Sequence, residues 1–97
     1  MLKGKERSIL RGYANGLRAV VQIGKAGLTD NIVKTVDEYL DANELIKVSI
    51  GEGVELDPKV VCNELAEKLG AEYVQAIGRR FVLYRQAKDP AKRRIEL

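Results

Sequence analysis

Between Ala19 and Ile50 the chain reads strand, glycine-bounded loop, helix, strand, and that order leaves few folds open. Ala19-Val20-Val21-Gln22-Ile23 is short, rich in β-branched residues and ended by glycine, as a buried strand is. Leu45-Ile46-Lys47-Val48-Ser49-Ile50 alternates Ile46, Val48 and Ile50 against Leu45, Lys47 and Ser49, and Gly51-Glu52-Gly53 ends it. Between the two, Thr29 is placed to cap a helix and Asp30 suits its positive end. Ile32, Val33, Val36 and Leu40 recur on one face, while Lys34, Asp37, Glu38 and Asp41 are expected to face water. A strand, a helix and a strand in this order predict a parallel pair joined by a right-handed crossover.

The loop that opens the crossover has a chemistry of its own. Gly24-Lys25-Ala26-Gly27 carries a glycine at each end and feeds into a helix N-terminus at Thr29. Glycine admits strained dihedrals and lets another backbone come close, and the helix start presents unpaired N–H groups at a positive dipole end. Lys25 adds a full charge, so the loop is suited to phosphate. Alone the pattern discriminates weakly, because glycine makes up 9 of 97 residues and ordinary strand-to-helix turns look the same. The same type of loop clamps nucleotide backbone in KH-class RNA-binding modules.

The flanking segments complete the order of elements. Ile9, Leu10, Tyr13 and Ala14, with Leu17 beyond, predict a helix from about Lys3 to Ala14. Gly4 and Gly12 each cost it about 1 kcal/mol relative to alanine, so packing must hold it. Lys3, Arg7 and Arg11 form a basic stripe along this helix. Asp57-Pro58 pairs a capping acid with a proline at the first helical position, Val61, Cys62, Leu65, Ala66 and Leu69 turn inward, and Gly70 ends that helix. Tyr73–Ile77 and Phe81–Arg85 flank Gly78-Arg79-Arg80 as an antiparallel hairpin with two arginines at its tip. Residues 86–97 are basic with few apolar side chains and are expected to be a loosely held tail. The whole predicts one α/β domain over residues 1–97, in the order α-β-α-β-α-β-β, with helices packed on a mixed four-stranded sheet.

Charge and composition narrow the function. Residues 1–25 carry a net +5, residues 26–75 a net −7 and residues 76–97 a net +5, so the domain is electrostatically two-sided if its ends meet. Histidine is absent, which removes the commonest general base and transition-metal ligand. Cys62 is the single cysteine and reads as a buried structural thiol, so no internal disulfide can form. Any enzyme here would rely on carboxylates, lysine or tyrosine, and the expectation is no catalytic residue, no metal and no cofactor. No apolar stretch approaches the eighteen or so residues of a membrane span, and the charged start Met1–Arg7 runs into no apolar region, so a cytoplasmic monomer is expected.

Four blocks carry a family resemblance. They are Leu10-Arg11 with Ala14 and Leu17; Val20 through Thr29; Glu44-Leu45-Ile46-Lys47-Val48; and Gln75-Ala76-Ile77-Gly78 followed by Val82-Leu83-Tyr84-Arg85. Together and in order, they resemble the CRM domain of bacterial YhbY-like ribosome-assembly proteins and plant organellar intron-splicing factors. The resemblance runs almost end to end and departs at Asn15, where members commonly carry histidine, and at Ala19, where they commonly carry proline. It implies a fold similar to the C-terminal domain of bacterial translation initiation factor three. It also implies RNA bound at the G-x-x-G loop and association with precursor large (50S) ribosomal subunits.

The reading is therefore a non-catalytic RNA-binding protein that assists ribosome assembly, with large-subunit ribosomal RNA as partner and ribosomal proteins as neighbours. Gly24, Lys25, Ala26, Gly27 and Thr29 form the clamp. Lys3, Arg7, Arg11 and Arg18 extend it if the first helix packs near the loop, and Lys34, Arg79 and Arg80 are outlying contacts. Tyr13, Tyr39, Tyr73, Tyr84 and Phe81 are the only aromatics and mostly suit core positions, so recognition by RNA shape and charge is expected. One alternative is a DNA-compacting protein of similar architecture. The other is a protein-interaction module using Asp37, Glu38 and Asp41 on a basic ribosomal protein.

Overall fold

The computed structural model describes residues 2–95 and residue 97. Its elements are α1 (Gly4–Ala14), β1 (Ala19–Ile23), α2 (Asp30–Asn43), β2 (Leu45–Ile50), α3 (Pro58–Leu69), β3 (Glu72–Ile77) and β4 (Arg80–Tyr84), with a single 3₁₀ turn at Pro90–Lys92. The sheet order is β1-β2-β4-β3. β1 and β2 are parallel, as the crossover predicts, and the other two pairings are antiparallel.

Cover on both sides of the sheet explains its apolar runs. Val21, Ile23, Ile46, Val48, Ile50, Phe81 and Leu83 share one face with Val36 and Leu40 of α2 and Val61, Cys62 and Leu65 of α3. On the opposite face α1 sets Leu10 and Ala14 against Leu45, Val74, Val82 and Tyr84. The central strands β2 and β4 thus lose alternation where both sides are packed, and four consecutive residues from Phe81 to Tyr84 are buried. α1 rests on a narrower stripe than its spacing predicts: Tyr13 is 53% exposed and Ile9 lies at the surface. The helix starts favourably all the same, because the Lys3 N–H donates to Glu6 Oε1 at 3.0 Å.

In the C-terminal segment, whose residue 96 lies outside the described residues, the exposed stretch 88–94 is bordered by bonds to Glu44 that the sequence does not announce. Glu44 follows α2, adopts a left-handed φ of +64° and is fully buried. Its N–H donates to the Leu40 carbonyl at 2.9 Å, and its carbonyl accepts the Arg85 N–H at 2.8 Å. Its carboxylate accepts backbone N–H groups from Ala87 at 2.7 Å, from Ile95 at 3.2 Å and from Arg94. A buried acid with three backbone donors is well satisfied, and here it anchors the chain on both sides of the 3₁₀ turn. Arg93 Nε adds a bond to the Ala87 carbonyl at 3.0 Å. The sequence offers little apolar pattern in this segment, where backbone bonds to a buried carboxylate accompany the burial of Ala87 and the packing of Ile95 on the second cluster.

Glu44→Ala should lower the free energy of unfolding by about 3 kcal/mol in denaturant titration, since it strands buried donors. It should also speed amide exchange at Ala87, Arg94 and Ile95; unchanged exchange there would show that something else fastens the segment. Cys62 gives a second expectation. Its thiol is fully buried and lies 3.8 Å from the Val82 carbonyl. Burial pushes its pKa from 9.0 up to about 12. Burial, with the nearby Glu44 charge, also raises Tyr84. The folded chain therefore holds these protons more tightly than the unfolded chain, and stability present below pH 9 declines as pH rises toward 12. Melting temperature should fall across that alkaline range, and less steeply in Cys62→Ala.

Candidate nucleic-acid interface

The chain leaves β1 through Gly24–Leu28 and enters α2. The Gly27 N–H donates to the Gly24 carbonyl at 3.0 Å, closing a tight turn, and the Thr29 N–H donates to the Gly27 carbonyl at 3.0 Å. Gly27 holds φ at +71°, a conformation in which other residues are strained. Thr29 caps α2 as expected, its hydroxyl accepting the Ile32 N–H at 3.2 Å. Gly24 is different: its φ is not left-handed, and a Cβ built there meets nothing within 4 Å. The fold does not require glycine at 24, and the space over it is open. Lys25 and Ala26 beside it are exposed.

The same end of the sheet carries two further loops. The Gly51 N–H donates to the Ile23 carbonyl at 2.9 Å, and the strands come so close that a Cβ at 51 would lie 3.1 Å from Gln22 Nε2. The hairpin tip reaches this end too, since the Ile50 N–H donates to the Arg79 carbonyl at 2.7 Å. The Arg79 guanidinium turns inward, donating to the carbonyls of Ile50 at 3.3 Å, of Gly51 at 2.6 Å and of Val54. Its Nε and Nη2 are engaged in closing the 50–54 loop.

Arg80 stands in register with Ser49 and Ile77, and Ser49 with Gln22. These four form a row across every strand, on the face whose other end α1 covers, and Ile77 there is 69% exposed. Gln22 and Ser49 were not anticipated as neighbours of Arg80, because only the strand register brings them together.

The basic residues of the first helix lie elsewhere. α1 packs over β2 and β3 on the face opposite α2. Arg7 reaches the outer edge of β3, into a shallow cleft with Asn63, Glu67, Glu72 and Tyr73. β3 and β1 are the two outer strands, about 14 Å apart by three strand spacings. Arg18 precedes β1 and is separated from Gly24 by the length of that strand, about 16 Å. Lys3, just before α1, and Arg11 on it are exposed. The structure thus gathers Gly24, Lys25, Ala26, Gly27, Thr29, Arg79 and Arg80 at one end and separates Arg7 and Arg18 from them. Lys34, on α2, faces a groove between α2 and α3.

Asp37 and Asp41 keep the outward placement expected of them, at 45% and 63% side-chain exposure, and each also pairs with one guanidinium. Arg85 pairs with Asp37 at 2.7 Å and Asp41 at 2.9 Å, and also donates to the Leu69 carbonyl at 2.9 Å. Phe81 and Tyr84 are buried, as core residues are. Among the described residues no group of three or more His, Cys, Asp or Glu is arranged to hold a metal ion, and no helix is long and apolar enough to cross a membrane.

The model of the CRS1 / YhbY (CRM) domain matches residues 2–85. The chain belongs to this family. Over 97 residues this CRM chain is 40% identical to "Probable RNA-binding protein YqeI" of Bacillus subtilis, covering 100% of one and 99% of the other. It is 32% identical over 88 residues to an RNA-binding protein of Haemophilus influenzae, covering 91% and 89% respectively. The solution structure of a hypothetical protein from Staphylococcus aureus matches the CRM fold described here with a TM-score of 0.81 at 35% identity, over 99% of this chain and 100% of that one.

Adjacent arginines at the hairpin tip should behave differently. Arg79→Ala should cost about 2 kcal/mol of stability through three lost carbonyl bonds, and Arg80→Ala less than about 0.5 kcal/mol. Equal unfolding midpoints for the two variants would contradict the bracing role of Arg79.

Proposed function

We propose that this CRM chain binds RNA without catalysing a reaction on it, holding the sugar–phosphate backbone at the Gly24–Gly27 loop, and that it acts on precursor large ribosomal subunits. The observation that carries the reading is Gly24. An exposed glycine that neither strain nor crowding demands suits close approach by another backbone, and the positively charged Lys25 stands next to it. The start of α2 adds N–H groups and a positive dipole end. The relatives of Bacillus subtilis and Haemophilus influenzae, which carry RNA binding in their names, support the same ligand.

Recognition by shape and charge follows from what the surface lacks. Three of the five aromatics, Phe81, Tyr84 and Tyr73, contribute to packing, which leaves little platform for stacked bases. A folded ribosomal RNA presents phosphates in fixed positions, so a loop that reads backbone gains selectivity from its partner's fold. The chain then works in the cytoplasm, among ribosomal proteins. The protein-interaction alternative loses support because Asp37 and Asp41 already hold Arg85.

The test is a Gly24→Asp, Lys25→Glu double variant against a large-subunit ribosomal RNA transcript and a matched DNA duplex over a range of salt. The variant should keep the parent's unfolding midpoint and lose about tenfold or more in RNA affinity, and the parent should prefer RNA at equal salt. Comigration of the parent, but not the variant, with precursor large subunits in a gradient would carry the ribosomal part of the reading. A folded variant that binds RNA as the parent does would remove the loop from the interface.

A further inference from the structure

We propose that the groove between α2 and α3 continues the phosphate track that begins at the Gly24–Gly27 loop, with Lys34, Lys68 and Lys88 as its contacts and the same RNA as its occupant; this rests on the RNA-binding reading above. The three lysines are far apart in the chain, one on α2, one in the last turn of α3 and one beyond β4. In the folded chain they line a single open groove of about 540 Å³. Leu28, the residue after Gly27, lines it as well, so groove and loop are continuous.

The balance of charge in the groove favours an anion. Arg85 and Asp37 both face it, but they neutralise each other at 2.7 Å, and Asp41 adds a second carboxylate to the same guanidinium. Asp30 remains as the acid near the α2 start. Lys34, Lys68 and Lys88 are all exposed, and none forms an ion pair among the described residues. Lys68 gains something from the α3 dipole, but no such gain applies to Lys34 near an N-terminus. Three like charges converging without partners focus a positive field into the groove, which a phosphodiester chain would relieve.

The fold places Lys88 there on purpose-built bonds. Ala87, its neighbour, is buried and donates its N–H to the Glu44 carboxylate at 2.7 Å, so the polar anchor of the C-terminal segment also fixes the third lysine. Apolar Leu28, Val33 and Leu69 line the groove beneath, a surface on which lysine stems can lie with their ammonium groups raised. A polyanion that contacts Lys25 has this groove as its continuation, whereas Arg7 and Arg18 require a turn around the sheet.

The deciding measurement is the salt dependence of binding to a large-subunit ribosomal RNA transcript, for the parent, for Lys34→Gln/Lys68→Gln/Lys88→Gln, and for a charge-matched Lys5→Gln/Lys59→Gln/Lys92→Gln control. All six positions are exposed, so both variants should fold, which their unfolding midpoints check. Loss of three phosphate contacts should reduce the log–log salt slope of the groove variant by about 2 to 3 and weaken binding about tenfold or more, with a smaller change in the control. Equal losses in both triple variants would reduce the effect to net charge and overturn the groove. Parent-like slope and affinity in the groove variant, with binding still lost in Gly24→Asp, Lys25→Glu, would overturn the groove and leave the loop standing. A parent that binds no RNA would overturn both.

Discussion

A parallel strand pair cannot be closed by a tight turn, and most of what matters about this chain follows from the crossover that β1 and β2 therefore need. Parallel pairing brings the exits of both strands to one end of the sheet, where Gly51 sits against Ile23 and Gln22. The crossover helix must begin there too, so its capped N-terminus and the Gly24–Gly27 turn open beside the second loop. The antiparallel β4 starts at that end for the same reason, and it carries Arg79 and Arg80 with it. A single topological obligation thus assembles three loops on one rim.

Polar groups then do what a small core cannot do alone. Glu44 is buried, and its carboxylate is matched to backbone donors from Ala87, Arg94 and Ile95. Arg85 spans from the end of β4 to two carboxylates of α2 and the last turn of α3, while Arg79 holds the 50–54 loop through carbonyl oxygens. Arg85 adds polar ties between elements that already share the main apolar cluster, and Glu44 and Arg79 fasten segments outside the regular helices and strands. Their side effect is electrostatic: Arg79 is bonded to backbone carbonyls and Arg85 is paired with Asp37 and Asp41, so fewer unpaired charges meet a partner than the composition suggests.

Much of the fold was legible in the chain, because the signals were local. Thr29 before the α2 stripe, Asp57-Pro58 before α3 and Gly70 after it all act within a few residues, through caps and dihedrals that the sequence displays directly. The strands are found where they are expected, within a residue or two at the hairpin. The candidate site was partly legible: the loop and its capped helix are contiguous in sequence, so their meeting needed no fold. Less visible was the condition attached to the first helix. Periodicity marks Lys3, Arg7 and Arg11 as one stripe, but it does not say over which edge of the sheet the stripe lies.

Local chemistry alone therefore settled which elements form and that a glycine-bounded loop leads into a capped helix, since propensity, capping and glycine geometry are properties of neighbouring residues. The folded arrangement decided which charges are available. Strand order put Arg7 at the edge away from the loop, register set Gln22 and Ser49 beside Arg80, and packing drew Lys34, Lys68 and Lys88 into one groove. The physical reason is range: hydrogen-bonded turns act over a few residues, whereas the fate of a charge depends on whatever the core brings within a few ångströms of it, as Glu44 does for a segment some fifty residues away.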